Sequence, residues 1–122
     1  ARQKAHAPYS KFKVGAALLA ASGEIVTGCN IENASYGLTL CAERVAVFKA
    51  VSEGFRDFEA IAVVAASPRP TAPCGPCRQI LWEFCGDIWV HVAAPGRGGR
   101  VGKATSYRMS DLLPVPFDGR NL

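Results

Sequence analysis

The chain has 122 residues, with 14 Lys and Arg against 10 Asp and Glu, for a formal charge of +4. Its 49% apolar and 20% charged residues are globular values, which excludes disorder as the main state. No apolar run approaches the ~20 residues of a membrane helix, and no signal-like apolar stretch opens the chain, so a cytoplasmic location without membrane contact is expected. The basic residues are scattered apart from a mild run between Arg97 and Arg108, which reads as solvated surface rather than a nucleic-acid patch.

In chain order, the first eight residues are a polar lead-in ending at Pro8, frayed or helical. Phe12 to Ala20 is small and apolar, the length of a buried strand. Ser22-Gly23 signals a turn, and Glu24 to Cys29 alternates toward a second strand, so a hairpin is predicted. Asn30 to Thr39 is a polar loop. Cys41 to Glu53 has apolar residues at helical spacing (Val45, Phe48, and Val47 or Val51), with Gly54 as the stop. Phe58 to Ala66 is a β-branched central strand, and Ser67 to Pro73 is a proline-rich loop. Pro76 to Cys85 is a second helix, with proline in its favoured first turn. Ile88 to Ala94 is a strand. Arg97 to Ser106 is a glycine-rich turn followed by a short strand, and Met109 to Leu113 is a helical turn before a Pro114/Pro116 tail. Strands alternating with helices predict α/β layers. The opening hairpin makes the sheet mixed, and no linker or repeat divides residues 1–122, which read as one domain.

Five cysteines, Cys29, Cys41, Cys74, Cys77 and Cys85, cannot all pair within one chain. Without a secretion signal, reduced, metal-binding or catalytic use is favoured over disulfides. Cys41-Ala42-Glu43 opens the first confident helix, and Pro73-Cys74-Gly75-Pro76-Cys77 opens the second. Helix starts offer free N–H groups and a positive dipole end, which favour the thiolate that binds metal. Three sulfurs can hold zinc with its fourth position open, the arrangement of a catalytic site. Glu43, two residues past Cys41, suits a carboxylate that takes a proton from water beside the metal. A closed structural site would need a fourth ligand from Cys29 or Cys85, both of which read as small buried hydrophobes. His6 lies in the lead-in, and His91 reads as a core or sheet-face residue.

Cys-Ala-Glu followed 33 positions later by Pro-Cys-x-x-Cys resembles the zinc-dependent cytidine deaminases. With Cys41 as first ligand, the match is to the three-cysteine branch, which includes small homotetrameric enzymes. Phe12-Lys13-Val14-Gly15-Ala16-Ala17-Leu18 and Asn30-Ile31-Glu32-Asn33 resemble the nucleoside-binding segments of those acting on free nucleosides. The resemblance runs from about Tyr9 to Phe117. It implies a three-layer α/β/α cytidine deaminase-like fold around a central mixed five-stranded sheet. It implies one Zn²⁺ per subunit on Cys41, Cys74 and Cys77, and hydrolysis of cytidine and 2′-deoxycytidine by a zinc-bound hydroxide with Glu43 as proton shuttle, in pyrimidine salvage.

The same resemblance implies further roles. Asn30 and Glu32 hydrogen-bond the ribose 3′-hydroxyl, Phe12 packs beside the pyrimidine or sugar, and Ala42 offers backbone groups to the base. Ala34 and Tyr36 reach the ribose 5′-hydroxyl in a neighbouring subunit, and Phe117 covers a neighbour's base, so a homotetramer with shared sites is expected. Arg44 draws charge from the thiolates, restoring Lewis acidity to a site whose three thiolates and one Zn²⁺ sum to −1. Gln79, two residues past Cys77, is a further thiolate support. A blasticidin S deaminase would share the cysteine motifs but lack the Phe-x-Val-Gly-Ala and Asn-x-Glu-Asn pair. A polynucleotide-editing enzyme would need a groove for flanking nucleotides.

Overall fold

The small and β-branched runs form the sheet. Val14–Ala20 (β1) and Ile25–Cys29 (β2) pair antiparallel in a hairpin whose turn uses Gly23 at φ 95. Phe58–Ala65 (β3) lies antiparallel on the other side of β1, Trp89–Pro95 (β4) runs parallel to β3, and Val101–Arg108 (β5) closes the edge antiparallel to β4. The computed structural model describes all residues, 1–122, and its sheet order is β2-β1-β3-β4-β5. β5 spans eight residues, longer than the short strand expected after the glycine-rich turn.

The helices are Ala42–Ser52 (α1), Gly75–Cys85 (α2) and the single turn Met109–Leu112 (α3). β2 and β3 both oppose β1, so they point the same way, and β4 follows β3. The chain therefore makes two crossovers, β2–α1–β3 and β3–α2–β4. Each sends its helix back along the sheet from the same end. The N-termini of α1 and α2 consequently meet beyond the carboxyl ends of β2 and β3, where the polar loops after those strands also emerge.

The core lies between the sheet and these helices. Leu18, Ile61, Val63, Val90 and Val92 from the sheet meet Ala46, Val47, Leu81 and Met109. The buried stripe of α1 is Ala42, Ala46, Val47 and Ala50, with Glu43 beside it. The larger Val45 and Phe48, part of the helical apolar spacing, lie half-buried and exposed. The reason is close approach. Alanines four apart let α1 lie against β2, where Gly28 has no side chain to intervene. Phe48 instead meets Phe84 of α2 edge-on at 6.1 Å, on the outer helix surface.

The opposite sheet face carries the one-turn 3-10 helix Arg2–Lys4, packed onto Gly15 so closely that a Cβ there would lie 2.5 Å from Arg2 N. The mixed five-stranded sheet and α/β layering match the sequence reading, the outer layer on this side being that single turn. His91 stands on this face, its Nδ1 2.7 Å from Ser106 Oγ and its ring stacked on Trp89. Cys29 and Cys85 are half-buried, and Cys85 packs against the core. No helix is long and apolar enough to cross a membrane.

Candidate active site

Cys41 and Cys74 are the N-caps of α1 and α2, and Cys77 sits in the first turn of α2. Neither start has a side-chain cap, so both leave amide N–H groups and a positive dipole end near sulfur. The Cys41 and Cys74 sulfurs are 3.8 Å apart, those of Cys74 and Cys77 3.3 Å, and all three lie within 4.8 Å of one another. Two sulfurs bound at 2.3 Å to a tetrahedral centre are separated by ~3.8 Å, so the trio fits zinc in spacing as well as in softness. The cluster includes no fourth Cys, His or carboxylate, and Cys29 and Cys85 lie outside it. It therefore offers an open site rather than a closed structural one.

Electrostatics favour charge on Cys41. Hydrogen bonding from Cys77, and then the Arg44 guanidinium, bring the Cys41 thiol down to about 5. The same contact with Cys41, followed by burial, pushes Cys77 up. Arg44 Nη2 donates to Cys41 Sγ at 3.2 Å and to Thr39 O at 3.2 Å, while its buried Nε has no partner. Glu43 is 5% exposed at the start of α1. Burial, and then the negative charge of Cys41, raise its carboxyl above the ordinary value.

A cavity of about 240 Å³ opens beside the sulfurs. Phe12, Asn30, Glu32, Ala42 and Glu43 line it with Cys41 and Cys74. Asn30 is buried and spans the start of β1. Its Oδ1 accepts from Val14 N at 2.9 Å and its Nδ2 donates to Phe12 O at 2.8 Å. Glu32 Oε1 accepts from Tyr9 N and Ser10 N, both at 3.1 Å. Hydrogen bonds from Ser10 foremost hold its carboxyl below the usual range. A larger groove of about 470 Å³ crosses the opposite sheet face past Thr27, Ala62 and Arg100, remote from the sulfurs.

Ala34, Tyr36 and Phe117 are exposed and do not line this cavity. Tyr36 meets Tyr9 edge-on at 6.3 Å. Gln79 turns away from the thiols, its Nε2 donating to Phe117 O at 2.8 Å. The expected thiolate support is thus replaced by a tail contact, because residues two apart on a helix point ~200° apart. Ser10, Thr39, Thr71 and Ala72 also line the cavity. No side-chain chemistry marked these in the sequence, since their place depends on loops folding back over the helix starts.

A trio of thiols open on one side, a buried carboxylate and a cavity at the carboxyl ends of a sheet define a hydrolytic metal centre in an α/β protein. Residues 1–92 match the family model for the cytidine and deoxycytidylate deaminase zinc-binding region. A cytidine deaminase from Sporosarcina psychrophila is 62% identical, covering 100% of this chain and 87% of its own. One from Halalkalibacterium halodurans is 51% identical over 100% of this chain and 89% of its own. The crystal structure of cytidine deaminase from Burkholderia pseudomallei superimposes with a TM-score of 0.86 at 48% identity, covering 95% of this chain and 90% of the other. The chain belongs to the cytidine deaminase family of zinc-dependent hydrolases.

Proposed function

We propose that this chain converts free cytidine and 2′-deoxycytidine, with water, to uridine and 2′-deoxyuridine plus ammonia, in pyrimidine salvage in the cytoplasm. The observation that carries the reading is a three-thiol cluster, of which Cys41 and Cys74 line one cavity together with buried Glu43 and the Asn30/Glu32 pair. Zinc held by Cys41, Cys74 and Cys77, one ion per subunit, would supply the Lewis acidity that makes water nucleophilic near neutral pH.

The chain's own groups do the rest. Glu43, whose burial raises the affinity of its carboxylate for a proton, takes one from the water and delivers it to N3 of the base, which makes C4 electrophilic. The hydroxide left by that transfer adds to C4, Glu43 carries the proton of the new hydroxyl to the amino nitrogen, and the C4–N bond breaks to release ammonia. Arg44 holds the charge of Cys41 through its 3.2 Å contact. Glu32 remains a carboxylate, and with Oε1 occupied by two backbone N–H groups it turns Oε2 to the ribose 3′-hydroxyl. Asn30 keeps one N–H and one lone pair beyond its two backbone bonds for the same hydroxyl. Phe12 flanks the ring, and the backbone of Ala42 meets the base edge.

The assembly in this reading is a homotetramer. Phe117, Ala34 and Tyr36 lie outside their own cavity and serve a neighbour's, covering its base and reaching its 5′-hydroxyl. Zinc analysis combined with ammonia release from cytidine, deoxycytidine, blasticidin S and single-stranded DNA tests the reading. Turnover of both nucleosides alone, with zinc present, is expected. Inactivity on cytidine by the zinc-loaded protein would overturn it. A solution mass measurement tests the tetramer.

A further inference from the structure

α2 does a second task beyond carrying Cys77. Its following residues tie down the carboxyl-terminal tail. Arg78 Nη1 donates to Leu112 O at 2.9 Å, where the tail begins. Gln79 Nε2 donates to Phe117 O at 2.8 Å, and Trp82 Nε1 donates to Asp118 Oδ2 at 2.8 Å. Arg120 closes on the same carboxylate at 2.6 Å, leaving the Asp118 side chain 12% exposed although the tail runs over the surface.

Between these anchors the chain is stiff and bent. Pro114 and Pro116 each fix φ, and Val115 between them takes φ 49. That left-handed conformation is an outlier for a β-branched residue, and outliers persist only where their surroundings hold them. The result is a short strap clamped at both ends by one helix. Phe117 is held by its carbonyl and by the next side chain, yet the residue is 61% exposed. A free tail would lose conformational entropy on closing over a ligand. A clamped one has lost most of it beforehand.

We propose that Gln79 and Trp82, the latter through Asp118, are positioning residues that hold Phe117 ready to cover the base bound in a neighbouring copy of this chain. The proposal rests on the base-covering role given to Phe117 above. Arg120 first, and then the Trp82 indole, keep the Asp118 carboxyl well below the carboxylate range, so the anchor persists throughout neutral assay conditions.

Steady-state kinetics on the zinc-loaded protein test it with Gln79→Ala, Trp82→Phe, Asp118→Ala, Asp118→Asn, Phe117→Ala and the Trp82→Phe/Phe117→Ala double variant. Trp82→Phe keeps the ring in its packing and deletes only the donor, and Asp118→Asn keeps an acceptor. The expected result is KM for cytidine raised about 3- to 10-fold by Gln79→Ala, Trp82→Phe and Asp118→Ala, the scale of one hydrogen bond. In these variants kcat stays within about twofold, and Asp118→Asn restores KM. On the Phe117→Ala background, Trp82→Phe should add nothing. If Phe117→Ala raises KM while the anchor variants leave it unchanged, the positioning role is wrong and the base-covering role stands. If Trp82→Phe is as harmful without the Phe117 ring, its effect runs through its own subunit and the proposal falls. If Phe117→Ala leaves KM unchanged, the base-covering role fails and the proposal goes with it.

Discussion

Gly28 lies against the first turn of α1 with no room for a side chain. A Cβ on it would stand 2.5 Å from the carbonyl oxygen of Ala42, and 2.6 Å from Ala46 N. Both obstacles are helix backbone, so relief requires α1 itself to move. Ala42 is the residue between Cys41 and Glu43, and the spacing of the candidate site from the sheet is therefore set by an absent side chain. Gly28→Ala should destabilise the protein by about 2 kcal/mol, as overpacking does. That corresponds to roughly 5–12 °C in Tm. The folded fraction should also turn over more slowly, because the shift carries Cys41 and Glu43 with it. Calorimetry and kinetics on the purified variant check both. A Tm within 1 °C of the parent would mean that α1 yields more easily than its packing indicates.

Glu43→Gln keeps the shape of a buried side chain and removes its capacity to carry a proton. Activity on cytidine should fall roughly 10²- to 10⁴-fold, the span of general acid–base catalysis. Zinc content and the circular dichroism spectrum should stay unchanged, because Glu43 is not one of the clustered thiols. Residual turnover within tenfold of the parent would assign the proton transfers to another group.

Removing one sulfur should open the cluster. Cys74→Ala leaves Cys41 and Cys77, and two thiolates with no clustered third ligand make a weak zinc site. The variant should purify with little zinc and no deaminase activity. Because metal binding contributes to folded-state stability, its Tm should no longer respond to added zinc as the parent's does. Elemental analysis and a thermal shift series with and without zinc provide the readout. A full zinc complement in Cys74→Ala would refute the ligand set.

Cys85 gives a pH prediction away from the cluster. Burial pushes its thiol from the ordinary 9.0 up to about 12. Between those values the folded chain keeps a proton that the unfolded chain releases, so stability falls as pH rises from about 9 to about 12. Below 9 both states hold the proton and the contribution is flat. Cys85→Ala should lose less stability than the parent over that alkaline window, measured by denaturant midpoints at a series of pH values. The native thiol should also resist alkylation at pH 8, which mass spectrometry after iodoacetamide treatment would show.

Much of the sheet and the chemical part of the site were legible in the sequence, because both depend on local pattern. Alternation and β-branching located β1 to β4, and the motifs around Cys41 and Cys74 put three sulfurs and Glu43 at helix starts. What escaped depends on packing between distant segments. The core face of α1 followed its alanines rather than Val45 and Phe48, since close approach to Gly28 outweighed the bulk of the larger residues. Gln79 looked like a partner for sulfur by proximity to Cys77, yet helical rotation aims it at Phe117. The Trp82–Asp118 tie joins residues 36 apart, and no motif announces it. The sequence motif marks Glu32 as a ligand-facing carboxylate. That one of its oxygens is already committed to the backbone at Tyr9 and Ser10 became visible only in the folded chain.

Cys77 and Trp82 are five residues apart on α2, a rise of ~7.5 Å. Helix ends fray, and the first turn of α2 contains the sulfur of Cys77 while the tail's anchors begin at the next residue. Any ligation that suppresses fraying there also steadies the platform on which the tail rests. Conversely, a tail locked to Arg78, Gln79 and Trp82 lowers the entropy that ligation must remove. Two binding events that share one local unfolding equilibrium are thermodynamically linked, each favouring the other by the same factor.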